Sequence, residues 1–274
     1  MLFVTGATGR MGGAVLRHVP GPHRAGSRSA DAAEGASETV RFDLADAATF
    51  APVLAGCDAL FLILPPGQAR RGPFDALMAE ARRAGVGHVV CASVWGAQDA
   101  RFLPHRHMEA AVRESGLPHT FLRPADFMQN LTDIHAEAIR GGELALPAGA
   151  GRSAFLDVED VGRAAAAVLA DRRRHAAYTY DLTGPEALTF GEVAETLSAV
   201  LDRPVRYRPV SVPRFVWSQV RGGRPLPLAL VMSALYTMQR RGGAAPVSGD
   251  FVRLTGERPG NLRAYVERER QRLA

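Results

Sequence analysis

Short apolar runs and helical patterns alternate along the first half of the chain. The runs at residues 2–4, 59–64 and 88–94 are almost continuously apolar, which is typical of parallel strands buried on both faces. Further strands are predicted at 23–29, 40–44 and 119–123, and helices at 12–18, 73–84 and 104–115. This alternation predicts an α/β fold, a doubly wound parallel sheet with helices on both faces.

The pattern changes after residue 127, where the elements become shorter. Strands are predicted at 154–158 and 178–182, and helices at 160–170 and 190–201, between glycine turns. We therefore predict a first domain over residues 1–127 and a smaller C-terminal α/β lobe over residues 128–274. A segment near 155–182 is expected to return to the first domain. The apolar run at 225–238 is too short to span a bilayer and is interpreted as a buried helix or a lid.

Three glycines follow the first apolar run at intervals of three residues, and a helical pattern begins at once. This order suits a dinucleotide, because glycines allow a tight turn, approach of the backbone to a pyrophosphate and close packing of the helix. The N–H groups at the start of the helix then face the phosphates. A purely structural glycine turn is the alternative. The predicted cofactor loop consists of Gly6, Ala7, Thr8, Gly9, Arg10, Met11 and Gly12.

The end of the second predicted strand bears on the choice of cofactor. An acidic residue there would accept hydrogen bonds from a ribose 2′-hydroxyl and repel a 2′-phosphate. The chain instead has Ser27 and Arg28, and no acidic residue occurs before Asp31. A serine hydroxyl and a guanidinium both donate to phosphate, so NADPH is preferred over NADH in this interpretation. A solvated surface arginine is the alternative.

The remaining cofactor contacts are expected at the carboxyl ends of other strands, beyond which ligands bind in open parallel sheets. Asp43, followed by Leu44, could accept from the adenine amino group, or cap a helix that begins at Ala45. Leu64, Pro65 and Ser93 complete this rim.

Charge is distributed unevenly, and all 33 basic residues are arginine. Residues 1–200 carry 19 Arg against 23 acidic residues, whereas residues 201–274 carry 14 Arg against 5. The basic half has no aromatic-interleaved stripe or helix-turn-helix pattern, so a nucleic acid partner is not expected. No signal-peptide or metal-ligand spacing is visible. Two isolated cysteines, Cys57 and Cys91, are typical of reduced thiols, and a cytoplasmic location is expected.

Several motifs together carry a family resemblance. TGATGRMG at the start, GLPHTFLRPADFMQN in the middle, and FLDVEDVGRAA and LTGPEALTFGEVAETLS later in the chain resemble the NmrA-like group of atypical short-chain dehydrogenase/reductases. The resemblance implies a Rossmann-like nucleotide domain with a small substrate lobe. Members of this group include NADPH-dependent reductases of quinones and dyes, and redox sensors that bind dinucleotide without turnover.

The chain departs from the wider superfamily at the proton donor. A Tyr–Lys pair is usual there, but this sequence has no lysine and no tyrosine before Tyr178. By resemblance, His105 falls where phenylpropanoid reductases carry an active-site lysine, and His105 with Glu109 reproduces the His-x-x-x-Glu spacing of some quinone reductases. Residues four apart share a helix face, so we expect Glu109 to raise the pKa of His105 and orient its ring. A solvated or capping histidine is the alternative.

Trp95, Phe127 and Asn130 are the candidate substrate contacts, since aromatic walls with one amide suit a flat ligand. Core packing of the two aromatic residues is the alternative, and Arg123 is expected to pin the loop after residue 124. Two functions remain open: an NADPH-dependent oxidoreductase acting on a small aromatic, quinonoid or carbonyl compound, and a non-catalytic NADP(H)-sensing regulatory protein. No membrane partner is expected, and a homodimer is left open.

Overall fold

A computed structural model of the protein describes residues 1–29, 33–65, 67–68, 70–98, 103–242 and 246–274. The strands are β1 (Leu2–Val4), β2 (His23–Ser27), β3 (Glu38–Arg41), β4 (Ala59–Ile63), β5 (His88–Ala92), β6 (His119–Pro124), β7 (Glu143–Leu146), β8 (Arg152–Ser153), β9 (Thr179–Leu182), β10 (Leu188–Thr189) and β11 (Arg206–Pro209).

The helices alternate with these strands in the first half of the chain and dominate its C-terminal part. They are α1 (Arg10–His18), α2 (Phe50–Leu54), α3 (Gly72–Arg83), α4 (Pro104–Glu114), α5 (Gln129–Asp133), α6 (Ala136–Arg140), α7 (Val158–Ala170), α8 (Phe190–Leu201), α9 (Val212–Arg221), α10 (Leu226–Arg240), α11 (Asp250–Thr255), α12 (Leu262–Arg268) and α13 (Arg270–Leu273).

The main sheet is parallel and doubly wound, which confirms the predicted fold class. Within the described residues its order is β3-β2-β1-β4-β5-β6-β9, so the chain reverses direction across the sheet beside β1. The reversal puts the carboxyl ends of β1 and β4 next to each other, and ligands bind at such a switch point. The Thr5 hydroxyl ties the two ends together by accepting a hydrogen bond from the Ile63 N–H at 2.8 Å.

Contacts between Cα atoms divide the chain into two compact units. The first unit comprises residues 1–124, 158–182 and 249–257, and holds the seven-stranded sheet. Its core lies between the sheet and the flanking helices and includes Phe3, Phe61, Phe74 and Phe121. Both cysteines are buried and free within this unit.

The second unit comprises residues 125–157, 183–248 and 258–274. Two small sheets, β10-β8 and β11-β7, lie beside α8, and the core gathers around Phe190, Phe215 and Tyr265. The capping box of Thr189 and Glu192 starts α8.

The structure contradicts one sequence-based prediction for the later elements and one alternative of another, and it leaves a lid at 225–238 as a prediction. The strand predicted at 154–158 is an irregular segment, in which Leu156 forms an isolated parallel bridge to Phe127 and α7 begins at Val158. The run at 225–238 does form a helix, but most of its large apolar side chains are exposed rather than buried. In the described ranges, no helix is long and apolar enough to cross a bilayer.

Candidate cofactor and reaction site

The glycine turn after β1 has the backbone that a dinucleotide site requires. Gly6 adopts a φ of +59°, a conformation that side chains disfavour, and the Gly9 N–H donates to its carbonyl at 3.0 Å. Gly12, in the first turn of α1, sits against this turn. A Cβ atom on Gly12 would overlap the Gly6 carbonyl oxygen and lie only 2.6 Å from Ala7 Cα. The close approach therefore depends on glycine at both places.

A cavity of about 520 Å³ opens at this turn, at the carboxyl ends of β1, β2 and β4. It is lined by the predicted cofactor residues Gly6, Thr8, Gly9, Arg10, Met11, Gly12, Ser27, Arg28, Asp43, Leu44, Leu64 and Pro65. Ala7, which is buried, and Ser93 are not among its lining residues. The start of α1, which follows the N-cap Gly9, gives the cavity backbone N–H groups for a diphosphate, so the residues present fit a dinucleotide.

Further lining residues were not predicted from the sequence. They are Gly26, Ser29, Phe42, Ala45, Ile63 and Gln68. Most adjoin a predicted residue at the end of the same strand, which is a signal that could have found them. Gln68 lies beyond β4 and has no such signal.

The end of β2 presents hydroxyl and guanidinium donors to the cavity. The Ser27 side chain is buried and lies 3.4 Å from the Ser29 hydroxyl, oxygen to oxygen. Arg28 is exposed, and among the described residues no carboxylate forms an ion pair with it. Asp31, the first acidic residue after the strand, lies outside the described residues.

Asp43 is partly committed to its own loop. Its carboxylate accepts from the Ala45 N–H at 2.9 Å, which closes a turn but starts no helix. The short 3₁₀ helix that follows begins at Ala47 and is capped by Asp46, so the predicted capping role of Asp43 is wrong. The carboxylate still lines the cavity and keeps an oxygen for a ligand.

The carboxyl end of β5 carries two more predicted residues. The Ser93 hydroxyl is buried and forms no hydrogen bond of ordinary geometry with the described residues. It is nevertheless near enough to the Glu109 carboxylate to help lower the pKa of that group. Trp95 is half-buried, and its backbone N–H donates to Pro124 O at 2.9 Å. An unsatisfied buried hydroxyl at a strand end is a group that a ligand can use.

His105 and Glu109 share a face of α4 but do not form the expected pair. The Glu109 carboxylate is buried and accepts from Arg123 Nε at 2.9 Å and from an Arg123 terminal nitrogen at 2.7 Å. Burial on its own raises the pKa of Glu109, but these hydrogen bonds, with help from Ser93 and the charge of Arg113, lower it below its usual range. Arg123 therefore pairs with Glu109 inside the first unit. That it also pins the following loop stays a prediction.

Among the residues that the structure describes, no carboxylate forms a hydrogen bond or ion pair with His105. Its Nδ1 is buried and unbonded within the described structure. Burial lowers the pKa of the ring, and the opposing effect of Glu109 is smaller. Glu109 acts in the expected direction on the pKa of His105, but the expected net rise is wrong, because burial outweighs the effect of the carboxylate. Burial therefore favours the neutral form of the ring. That Glu109 orients the ring stays a prediction.

Phe127 and Asn130 belong to the second unit, and neither side chain is fully buried. Asn130 donates its amide to the Asp126 carboxylate at 2.6 Å, and Gln239 donates to the other Asp126 oxygen at 2.8 Å. Burial raises the pKa of Asp126 despite these two hydrogen bonds. The sequence did not single out Asp126, since a carboxylate two residues after a proline gives no signal of its half-buried, hydrogen-bonded position.

A parallel sheet with a glycine turn, a helix start and a cavity at its switch point defines a Rossmann-type, NAD(P)-binding protein. The model of the NmrA-like family matches residues 1–249. The chain belongs to the NmrA-like family.

Similar proteins agree with this assignment. A curated NAD(P)H azoreductase of Xenophilus azovorans is 34% identical over 272 residues, which cover 93% of each protein. The structure of Citrobacter sp. triphenylmethane reductase complexed with NADP(H) has a TM-score of 0.84 at 28% identity and covers 97% of this chain and 99% of its own. The Escherichia coli NADPH-dependent quinone oxidoreductase complexed with NADPH has a TM-score of 0.87 at 26% identity, with 98% and 99% covered.

Proposed function

We propose that the protein is an NADPH-dependent oxidoreductase that reduces a small aromatic, quinonoid or carbonyl compound without a Tyr–Lys pair. The observation that carries the proposal is the cavity at the glycine turn, whose lining fits a dinucleotide. The similarity to an azoreductase, a dye reductase and a quinone oxidoreductase supports reduction by NAD(P)H.

The residues of the first unit divide the cofactor between them in this proposal. The turn from Gly6 to Gly12 holds the diphosphate, while Ser27 and Arg28 hold a 2′-phosphate. Asp43 binds the adenine, and Leu64 and Pro65 cover the opposite side. When bound, the nicotinamide supplies a hydride. The protein aligns the nicotinamide with the substrate and keeps water away. Such alignment accounts for much of the rate enhancement of a transfer between two bound reactants.

The preference for NADPH rests on Arg28. We predict that Arg28→Ala raises the Kd for NADPH by about 10- to 100-fold, because a charge-assisted hydrogen bond of roughly 1.5–3 kcal/mol is lost. The Kd for NADH is expected to stay unchanged. Arg41→Ala is the matched control, since Arg41 is also exposed but pairs with Asp46 at 3.3 Å and does not line the cavity. Titration calorimetry measures the Kd of the wild type and of each variant for NADPH and for NADH. If Arg28→Ala weakens the binding of both cofactors equally, the preference for NADPH is contradicted.

His105 is proposed to hold the proton that the reduced substrate accepts. Steady-state oxidation of NADPH with a panel of quinones and azo dyes tests the function. We predict that His105→Ala lowers kcat about 100-fold, the size of a typical general-acid effect, with little change in KM. His107→Ala is the control, because His107 is exposed on the same helix. Wild-type rates no higher than those in buffer would rule the proposal out.

The pH profile separates this role from a structural one. Since burial lowers the pKa of His105, the protonated ring becomes available only below the usual histidine range. We therefore expect kcat to rise as the pH falls towards that lowered pKa, and this rise to be missing in His105→Ala. If NADPH binds but is never oxidised, the second candidate, a non-catalytic NADP(H)-sensing regulator, is favoured instead; the absence of lysine from the sequence motivates it.

A further inference from the structure

The helix α10 has its apolar side turned outwards. The inner side carries Ser233, Tyr236 and Gln239, whose side chains bond to Ala229 O, His135 and Asp126, respectively. The outer side is apolar along its whole length and consists of Leu226, Leu228, Leu230, Val231, Leu235 and Met238, each at least 40% exposed. Ordinary surface helices show the opposite arrangement, so this face is built to meet something other than water.

Helix α9 extends this apolar surface. It packs on α10 through Phe215 and Tyr236, whose ring centroids are 5.6 Å apart, and a glycine turn joins the two helices. Trp217, on α9, is 61% exposed, and the Arg221 guanidinium lies 5.1 Å from its ring centroid. We call the exposed side chains of α9 and α10 the hairpin face.

In the segment that carries the hairpin face, every charged side chain is positively charged. Residues 203–249 contain eight arginines and no aspartate or glutamate. In the described parts of the chain, no carboxylate forms an ion pair with Arg214, Arg221 or Arg241. The face therefore combines an apolar stripe, an exposed tryptophan and cations that nothing in the described chain neutralises.

We propose that the hairpin face docks on the surface of an anionic lipid bilayer. An apolar stripe needs no hydrogen-bond partners in the acyl region, tryptophan favours the interface, and arginines reach the phosphates while their stems stay apolar. Helix α10 has 15 residues, so it lies on the bilayer and does not cross it. A second copy of the chain is a poor occupant, since a two-fold contact would face arginines with arginines. This proposal replaces the expectation of no membrane partner and does not depend on the reaction.

Co-sedimentation with vesicles tests the proposal. The probe is a vesicle of phosphatidylcholine with about 30% phosphatidylglycerol. We expect at least about tenfold more protein in the pellet with these vesicles than with phosphatidylcholine alone. The amount of bound protein should fall at high salt. Emission of Trp217 should shift to the blue on the anionic vesicles, and this shift should be lost in Trp217→Phe. Binding should fall at least tenfold in Leu230→Gln/Val231→Gln/Leu235→Gln.

Val252→Gln is the matched control, because Val252 is 45% exposed on α11 and lies outside the hairpin face. Circular dichroism checks that every variant is folded. The proposal is overturned if the wild type stays in the supernatant with anionic vesicles, or if the triple variant binds them as well as the wild type does. It is also overturned if sedimentation velocity without lipid shows a dimer that the triple substitution dissociates while vesicles bind neither form.

Discussion

Replacing Gly12 by valine is expected to abolish binding of NADPH, with a Kd raised at least 100-fold. The Cβ atom alone would overlap the Gly6 carbonyl and crowd Ala7, and neither backbone group can move without opening the turn. Valine adds two methyl groups to the same space. Titration calorimetry measures the loss, and circular dichroism establishes that the variant is folded.

Gly13→Ala is the matched control for that variant. A Cβ atom at Gly13 meets only the end of the flexible Arg17 side chain, at 3.3 Å, and Gly13 does not line the cavity. Alanine also favours a helix over glycine by up to about 1 kcal/mol, so this variant should bind normally and unfold no more easily. If the Gly12→Val variant is folded and binds NADPH normally, the assignment of the glycine turn to the cofactor site is contradicted.

Replacing Glu109 by alanine is expected to lower the free energy of unfolding by about 3–5 kcal/mol, because one partner of a buried ion pair is left without its counter-charge. Arg123 is 8% exposed, so its guanidinium cannot reach water in the variant. Urea unfolding followed by circular dichroism measures the change. Glu109→Leu/Arg123→Met should recover most of the stability, because it removes both charges and keeps the volume.

Arg113→Ala is the control for the same carboxylate. Arg113 approaches Glu109 at 3.3 Å, but its side chain is exposed, so its loss should cost less than about 1 kcal/mol. An effect of Glu109→Ala no larger than that of Arg113→Ala would contradict the assigned ion pair.

The pH dependence gives an independent check on this pair. The pKa of Glu109 is lowered in the folded protein, so the pair stabilises the fold above the pKa of the unfolded chain, about 4.3. This stabilisation is lost as the pH falls through the lower pKa of the folded state. The free energy of unfolding of the wild type should therefore approach that of Glu109→Ala in acid, and the difference between the two free energies should be constant near neutrality.

The fold class and the family could be predicted because their signals are local. The order of apolar strand, glycines and helix around Gly6–Gly12 determines the structure of that segment by itself. Successive parallel strands then bring their carboxyl ends to one edge of the sheet. Burial on both faces also makes β4 and β5 almost wholly apolar.

The candidate reaction site was harder to predict because its partners come from distant residues. The four-residue spacing correctly put His105 and Glu109 on one helix face, but it could not show that Arg123, on β6, lies closer to the carboxylate. The same limit applies to α10. Apolar content predicted burial, whereas the hydrogen bonds of Tyr236 and Gln239 decide which side of the helix faces the protein.

The first unit is built from three separate ranges of the chain, and this affects how it folds during translation. Helix α7 packs so tightly on α1 that Gly162 admits no side chain against the Ala14 carbonyl, and Glu159 bonds to Arg17 and His18. A nascent chain that has emerged only through β6 therefore has its first helix uncovered and its last strand missing. We infer that this sheet of six strands stays exposed to chaperones and proteases until β9 follows, more than fifty residues later.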